Sequence, residues 1–159
     1  MVNLLSAPPP GVRGLASAVP GQLSQELALS EKAIHHAKRI VMENVCLWGH
    51  DDLAFSVGVV MAELLSNVMQ HARVPNNGTG KRARFVVQAL PVGGHLVAVV
   101  HDDDPVLPKE RLAAGDALDG RGLTLVRGLA HSLTFAPAEG GKDVVAVFVP
   151  DSNRQEIPS

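Results

Sequence analysis

Three polar side chains recur at every fourth position of an otherwise apolar stretch, "MAELLSNVMQHA" at 61–72: Glu63, Asn67 and His71. In a helix, residues four apart are about 6 Å apart along the axis and rotated by about 40°, so the three share one face. Burying such groups without partners would cost several kcal/mol, so they are either exposed or bonded to a ligand. The side-chain oxygens of Glu63 and Asn67 suit Mg²⁺ held jointly with phosphate, with Asn67 as ligand and Glu63 as a base. The alternative is the solvent-facing edge of an ordinary helix.

A second group of residues that could bind a ligand lies further along the chain. The run "VVHDDDP" ends an apolar stretch in three consecutive aspartates, beginning at Asp102, and "GRGLTLV" places Gly120 and Gly122 at a predicted helix start. Glycines at that point let the backbone approach a ligand closely, and the free N–H groups of a first helical turn favour phosphate oxygens. Taken alone, the "DG" pair at 119–120 is equally compatible with a simple turn and helix start.

Hydrophobic periodicity predicts the helices that must position these residues. Apolar residues at three- and four-residue steps over 26–47 predict a first amphipathic helix. A broad apolar face then continues to about residue 72, with Asp51 or Asp52 as N-cap, and predicts the second helix, which carries the polar stripe. A third helical pattern over 123–130 follows a loop that contains proline, glycine and aspartate.

Four short runs of β-branched and apolar residues predict strands. They are "RFVVQAL", "HLVAVVHD", "SLTFAP" and "DVVAVFVP", at 84–90, 95–102, 132–137 and 143–150. "PVGG" predicts a hairpin between the first two. Helices segregated from such strands predict an α+β fold, a two-layer α/β sandwich whose mixed, mostly antiparallel sheet is covered by helices on one face.

Composition and length indicate one folded domain. The 159 residues are 46% apolar, which excludes a mainly disordered chain, and proline, glycine and alanine near the start predict a flexible arm over 1–25. The domain itself is expected over 26–150, with a C-terminal tail at 151–159.

A net charge of −2 gives no general attraction to nucleic acid or to a membrane surface. Since Cys46 is the only cysteine and neither a membrane span nor a signal peptide is apparent, we expect a cytoplasmic protein.

The order and spacing of these motifs resemble the GHKL ATPase family, which includes gyrase, heat-shock chaperone, histidine kinase and mismatch-repair ATPases. The resemblance covers about residues 30–150 and implies a Bergerat-type fold that binds ATP and Mg²⁺. It implies that Glu63 is the base and Asn67 the Mg²⁺ ligand of an E-x-x-x-N box, and that Asp102 reads the adenine amino group. The resemblance further implies that the nucleotide is contacted by His71, Gly120, Arg121, Gly122 and Leu123. It also implies that the segment 105–119 is the ATP lid.

Within that family the chain is similar to stand-alone anti-sigma factor serine/threonine kinases and related actinobacterial regulators, on "NVMQHA" and on the size of the domain. This implies a kinase that regulates transcription by phosphorylating an anti-sigma antagonist. Its partners would be a sigma factor, that antagonist or both, without nucleic acid or membrane, and the likeness also allows for a homodimer.

The alternative is a non-catalytic binding module that sequesters a sigma factor or another regulator, with nucleotide structural or absent. The presence of Glu63 and Asn67 favours the kinase. The absence of the family's glycines after Asp102, where D-x-G-x-G is usual, favours the binding module. The segment "GGKDVV" also lacks the threonine often found in the corresponding box.

Overall fold

The described parts of the chain contain six strands and three helices, and the sequence predicts only four of those strands. The computed structural model describes residues 12–19, 21–71, 80–91, 93–104 and 119–150. The strands are β1 (Val12–Val19), β2 (Gln22–Ala28), β3 (Arg82–Ala89), β4 (Leu96–Asp102), β5 (Ser132–Ala138) and β6 (Gly141–Phe148). The helices are α1 (Glu31–Leu47), α2 (Asp51–His71) and α3 (Asp119–Leu129).

The strands form one sheet in the order β1-β2-β3-β4-β6-β5. The predicted α+β architecture is confirmed. The sheet is not mixed in the part of the chain that the structure describes, because every neighbouring pair of strands there is antiparallel. The strands β4 and β6 are neighbours in the sheet although α3 and β5 separate them along the chain.

Side chains of the central strands alternate between two faces, as the period of two in a β-strand requires. The inner face is fully buried and holds Phe85, Val87, Ala98, Val100 and Ala146, among others. The outer face carries half-buried valines in the same strands, namely Val86, Val97, Val99, Val145 and Val147. The helix α2 contacts β3, β4 and β6, while α1 packs on β2 and on α2.

The helix α2 is the centre of the hydrophobic core. Its buried side chains include Val57, Met61 and Leu65, all with no exposed surface. By length and composition alone α2 would be able to cross a membrane, which the sequence analysis did not expect. Half of that apolar window is buried inside the fold, as in a core helix.

The sequence-based expectation for the N-terminal region is wrong in two respects. Residues 12–19 and 22–28 form β1 and β2 instead of a flexible arm over 1–25. Their strand character comes from pairing, since β2 lies between β1 and β3 and buries Leu23 and Leu27 completely. The first helix accordingly starts at Glu31 rather than residue 26, with the Ser30 hydroxyl accepting a hydrogen bond from the N–H of Ala33 at 3.0 Å. Residues 1–11 and 151–159 lie outside the described residues.

The buried His36 on α1 gives a testable pH dependence. Its Nε2 atom has no hydrogen-bond partner in the described part of the chain. Burial first, and then the charge of Arg39, lower the pKa of His36, while Glu43 acts in the opposite direction. Because the folded state disfavours protonation, the unfolded chain binds more protons, and the free energy of unfolding should fall as the pH drops below about 6.5 towards the lower folded-state pKa.

We expect His36→Gln to reduce this loss of stability, because the variant has no imidazole to protonate at that buried position. Urea denaturation between about pH 7.5 and pH 5 measures the slope. His35→Gln is the matched control, since His35 is the exposed neighbour on the same helix and its replacement should leave the slope unchanged. Equal slopes for the wild type and His36→Gln would contradict the assignment.

Candidate functional site

The polar stripe of α2 lies at the boundary between core and solvent. Glu63, Asn67 and His71 are all half-buried, whereas Leu64 and Val68 between them are buried. Among described residues, the side chains of Glu63 and Asn67 have neither a hydrogen bond nor an ion pair, whereas His71 is engaged in a further interaction. A carboxylate and an amide oxygen are therefore available side by side on one helix face, as the fourfold spacing predicts.

The C-terminal half of α2 lies at the same end of the sheet as Asp102. The Nζ atom of Lys81 donates a hydrogen bond to the carbonyl oxygen of Met69, near the end of α2. Lys81 immediately precedes β3, and Ala83 near the start of that strand pairs with Asp102 at the end of β4. The structure thus brings the part of α2 that carries Asn67 towards the strand end that carries Asp102.

The residues predicted to contact phosphate form the first turn of α3. This helix begins at Asp119, so Gly120, Arg121, Gly122 and Leu123 lie where backbone N–H groups have no partner within the helix. The predicted helix start at the two glycines is therefore confirmed. The helix packs against α2, which carries Glu63 and Asn67. The predicted lid over 105–119 lies outside the described residues except for Asp119 itself.

The Asp102 carboxylate is buried and paired with Lys142 on β6. Asp102 and Lys142 are each only 3% exposed. The Lys142 Nζ atom lies 3.1 Å from Oδ1 and 3.0 Å from Oδ2 of Asp102, and it donates a further hydrogen bond of 2.8 Å to the carbonyl oxygen of Asp104. The ammonium group of Lys142 is therefore bonded to the carboxylate and to a backbone oxygen at the same time.

The backbone after β4 adds a second donor to the same carboxylate. The N–H of Asp104 donates to Oδ1 of Asp102 at 2.8 Å, so that oxygen accepts two hydrogen bonds. Sequence reasoning did not identify Lys142 as part of the site. The available signal was a single lysine at the start of a valine-rich strand, whose partner became evident only from the register that pairs Asp102 with Lys142.

The three consecutive aspartates do not form one acidic cluster, because successive residues at the strand end point in different directions. Asp103 is 75% exposed, and its Oδ1 lies 3.5 Å from Nε2 of His101. The other ring nitrogen of His101, Nδ1, lies 2.7 Å from Oδ1 of Asp143. His101 and Asp143 thus occupy the outer face of the sheet, away from the pair formed by Asp102 and Lys142.

A glycine makes the close approach of β6 to the end of β4 possible. A Cβ atom at Gly141 would overlap the carbonyl oxygen of Asp102 and lie 2.8 Å from the Cα atom of Asp103. Both obstacles are backbone atoms and cannot rotate away. Gly141 therefore allows the adjacent Lys142 to enter β6 directly opposite Asp102.

The buried ion pair should couple stability at the two strands. We expect Lys142→Met to lower the free energy of unfolding by about 3–5 kcal/mol, because it leaves a buried carboxylate without its counter-charge. Adding Asp102→Asn should recover a large part of that loss. The half-exposed pair of Glu26 and Arg82 on the outer face is the control, and Arg82→Met should cost no more than about 1 kcal/mol. Urea denaturation measures the wild type, Lys142→Met, Asp102→Asn, the double variant and Arg82→Met, and strictly additive effects of the two substitutions at the buried pair would reject the coupling.

A second prediction concerns the close contact between the backbone of β6 at Gly141 and the end of β4. Gly141→Ala should destabilise the protein by at least about 1–3 kcal/mol, because the added methyl group forces β4 and β6 apart. Gly128→Ala is the matched control in α3, where an added Cβ meets no atom within 4 Å and alanine favours the helix. Thermal unfolding followed by circular dichroism compares the two, and a Gly141→Ala protein as stable as Gly128→Ala would show that the strands have room for the methyl group.

Comparison with known proteins gives a family match and similar solved structures. A sequence profile described as histidine kinase-like ATPase domain matches residues 24–148. No curated protein gives a significant match. Among solved structures, the chain is similar to the histidine kinase domain from Erythrobacter litoralis EL346 blue-light activated histidine kinase, with 17% sequence identity and a TM-score of 0.46. That similarity covers 80% of this chain and 66% of the other, so this chain spans just under two thirds of its length.

Proposed function

We propose that this chain, which belongs to the histidine kinase-like ATPase domain family, binds ATP with Mg²⁺ and acts as an anti-sigma factor serine/threonine kinase. Family membership implies ATP binding and a regulatory role. The kinase reaction and the anti-sigma partner are the parts that go beyond the family. They are supported by the E-x-x-x-N spacing of Glu63 and Asn67 and by the likeness of "NVMQHA" to the corresponding box of anti-sigma factor kinases.

The observation that carries the proposal is the state of Glu63 and Asn67. They are half-buried neighbours on one face of α2, and within the described residues neither side chain has a polar partner. Polar groups in such a position are stabilised when a ligand completes their hydrogen bonding or coordination. A carboxylate and an amide oxygen match the preference of Mg²⁺ for oxygen ligands, so this part of the site fits the implied group.

Each residue then has a defined role. The amide oxygen of Asn67 would hold Mg²⁺, and the N–H groups of the first turn of α3, at 120–123, would orient phosphate oxygens. Glu63 would accept the proton of a serine or threonine hydroxyl as that oxygen attacks the γ-phosphorus in line, while the bond from that phosphorus to the bridging oxygen breaks and ADP leaves. Bound ATP with Mg²⁺ supplies the phosphoryl group and neutralises part of its charge, so the protein contributes mainly positioning.

The proposed partners are a sigma factor, an anti-sigma antagonist that receives the phosphoryl group, or both, in the cytoplasm. A net charge of −2 is in keeping with a protein partner rather than nucleic acid. The likeness to anti-sigma factor kinases is what supports these partners, and it also allows a homodimer.

A second candidate function, a binding module without catalysis, is favoured by one specific observation. The carboxylate of Asp102, which the family resemblance assigns to adenine, already accepts hydrogen bonds from Lys142 and from the N–H of Asp104. The part of the site that would bind the base is therefore less available to a ligand than the part that carries Glu63 and Asn67. In this alternative the domain sequesters its partner, and nucleotide is structural or absent.

Two substitutions on α2 test the proposed roles. Asn67→Ala should abolish the Mg²⁺-dependent part of ATP binding, because it removes the metal ligand. Glu63→Gln should leave ATP affinity within several-fold of the wild type but slow phosphoryl transfer by about 10²–10⁴-fold, because an amide cannot act as the base. Calorimetric titration with and without Mg²⁺ measures binding, and transfer of labelled phosphate to an antagonist captured with the purified protein measures the reaction.

Gln70→Ala is the control for these variants, since Gln70 is exposed on the same helix. It should change neither measurement. Unchanged affinity for ATP with Mg²⁺ in a folded Asn67→Ala protein would reject the metal-ligand role. Tight partner binding without any transfer of label by the wild type would reject the kinase and leave the binding module.

A further inference from the structure

Lys142 has no part in the proposed reaction, yet it occupies the carboxylate expected to read the nucleotide base. Its ammonium group contacts both carboxylate oxygens of Asp102, at 3.1 and 3.0 Å, and the carbonyl oxygen of Asp104 at 2.8 Å. Both residues are only 3% exposed. The buried ammonium group is therefore held against its partner carboxylate while it also bonds a backbone oxygen.

We infer that Lys142 is an internal competitor for Asp102, which restrains nucleotide binding by occupying the oxygens that a base amino group would otherwise bond. The inference rests on the proposed function and adds to it a residue that sets affinity and base selectivity. The competitor is strong, because hydrogen bonds between an ammonium group and a carboxylate are roughly twice as strong as those between neutral groups. An amino group of a base is a neutral donor, so it competes for the same oxygens with weaker hydrogen bonds.

The fold keeps this competitor in place. Lys142 lies directly opposite Asp102 in the ladder between β4 and β6, and Gly141 lets the two backbones approach closely at that point. Because the lysine is anchored in the strand next to its partner, its ammonium group is always at a high local concentration near the carboxylate. The bond from the N–H of Asp104 further restricts the carboxylate.

Occupation of Asp102 has a consequence for base selectivity. A free carboxylate accepts a hydrogen bond from the amino group of adenine and repels the carbonyl oxygen that hypoxanthine carries at the same position. When Lys142 holds the carboxylate, neither effect operates at full strength. The wild-type protein should therefore bind ATP and inosine triphosphate with affinities that differ by only a few-fold.

The decisive variant is Lys142→Thr, measured by calorimetric titration with ATP and with inosine triphosphate in the presence of Mg²⁺. We expect ATP to bind at least about tenfold more tightly than to the wild type, which corresponds to about one charge-assisted hydrogen bond, and inosine triphosphate to show no such gain. The direction is informative, because removing a positive charge near a polyanion ordinarily weakens binding. Asp102→Asn in the Lys142→Thr background should cancel the gain.

Two further variants serve as controls. Lys38→Thr removes the same charge from α1, away from Asp102, and should not strengthen ATP binding. Lys142→Gln keeps a neutral donor beside the carboxylate and should give a gain of the same sign, so it replaces Lys142→Thr if the threonine variant does not fold.

The outcomes separate this inference from the proposed function. Wild-type binding that Lys142→Thr does not strengthen overturns the role of Lys142 and leaves the proposed function standing. A tenfold preference of the wild type for ATP over inosine triphosphate, which needs no variant to measure, also overturns it, since Asp102 would then already read the base. If neither the wild type nor any variant binds ATP, the proposed function itself fails.

Discussion

The burial of α2 against the sheet and between the other two helices is the constraint on which the rest of the structure depends. Its apolar side chains supply the centre of the core, and those of Val57, Met61 and Leu65 are completely inaccessible. A helix enclosed in this way has little surface left for polar groups. Glu63 and Asn67 lie along a boundary of this helix where a carboxylate and an amide are held without being buried beyond reach of a ligand. The placement of the candidate site thus follows from how the core is packed.

Elements whose structure follows from a local sequence pattern were predicted correctly from the sequence. The alternation of buried and half-buried residues in β3 and β4 comes directly from the period of two in those strands, and each strand lies within two residues of its prediction. The continuous apolar face of α2 predicted a long helix that ends near His71. The fourfold recurrence of Glu63 and Asn67 likewise predicted their common face, since that relation depends only on helix geometry.

Features that depend on contacts between distant segments were not predicted from the sequence. The strand β1 lies in a proline- and glycine-rich part of the sequence and is a strand because its backbone pairs with β2. The strand β2 in turn pairs with β3, which lies about sixty residues further on. Lys142 was missed for the same reason. No local rule places a lysine on β6 opposite Asp102, because that contact depends on β4 and β6 becoming neighbours across α3 and β5. Pairings of this kind are properties of the whole sheet.

The separation of β4 and β6 along the chain also bears on the order in which the domain assembles. The pairs β3–β4 and β5–β6 are joined by short connections and can form locally, whereas Asp102 and Lys142 are 40 positions apart. Bringing these hairpins together requires closing a long loop, whose entropic cost rises with loop length. We therefore expect the ladder between β4 and β6 to close after the hairpins exist, and contacts made only then act mainly on the unfolding rate. The same buried pair would in this way set the kinetic lifetime of the native sheet.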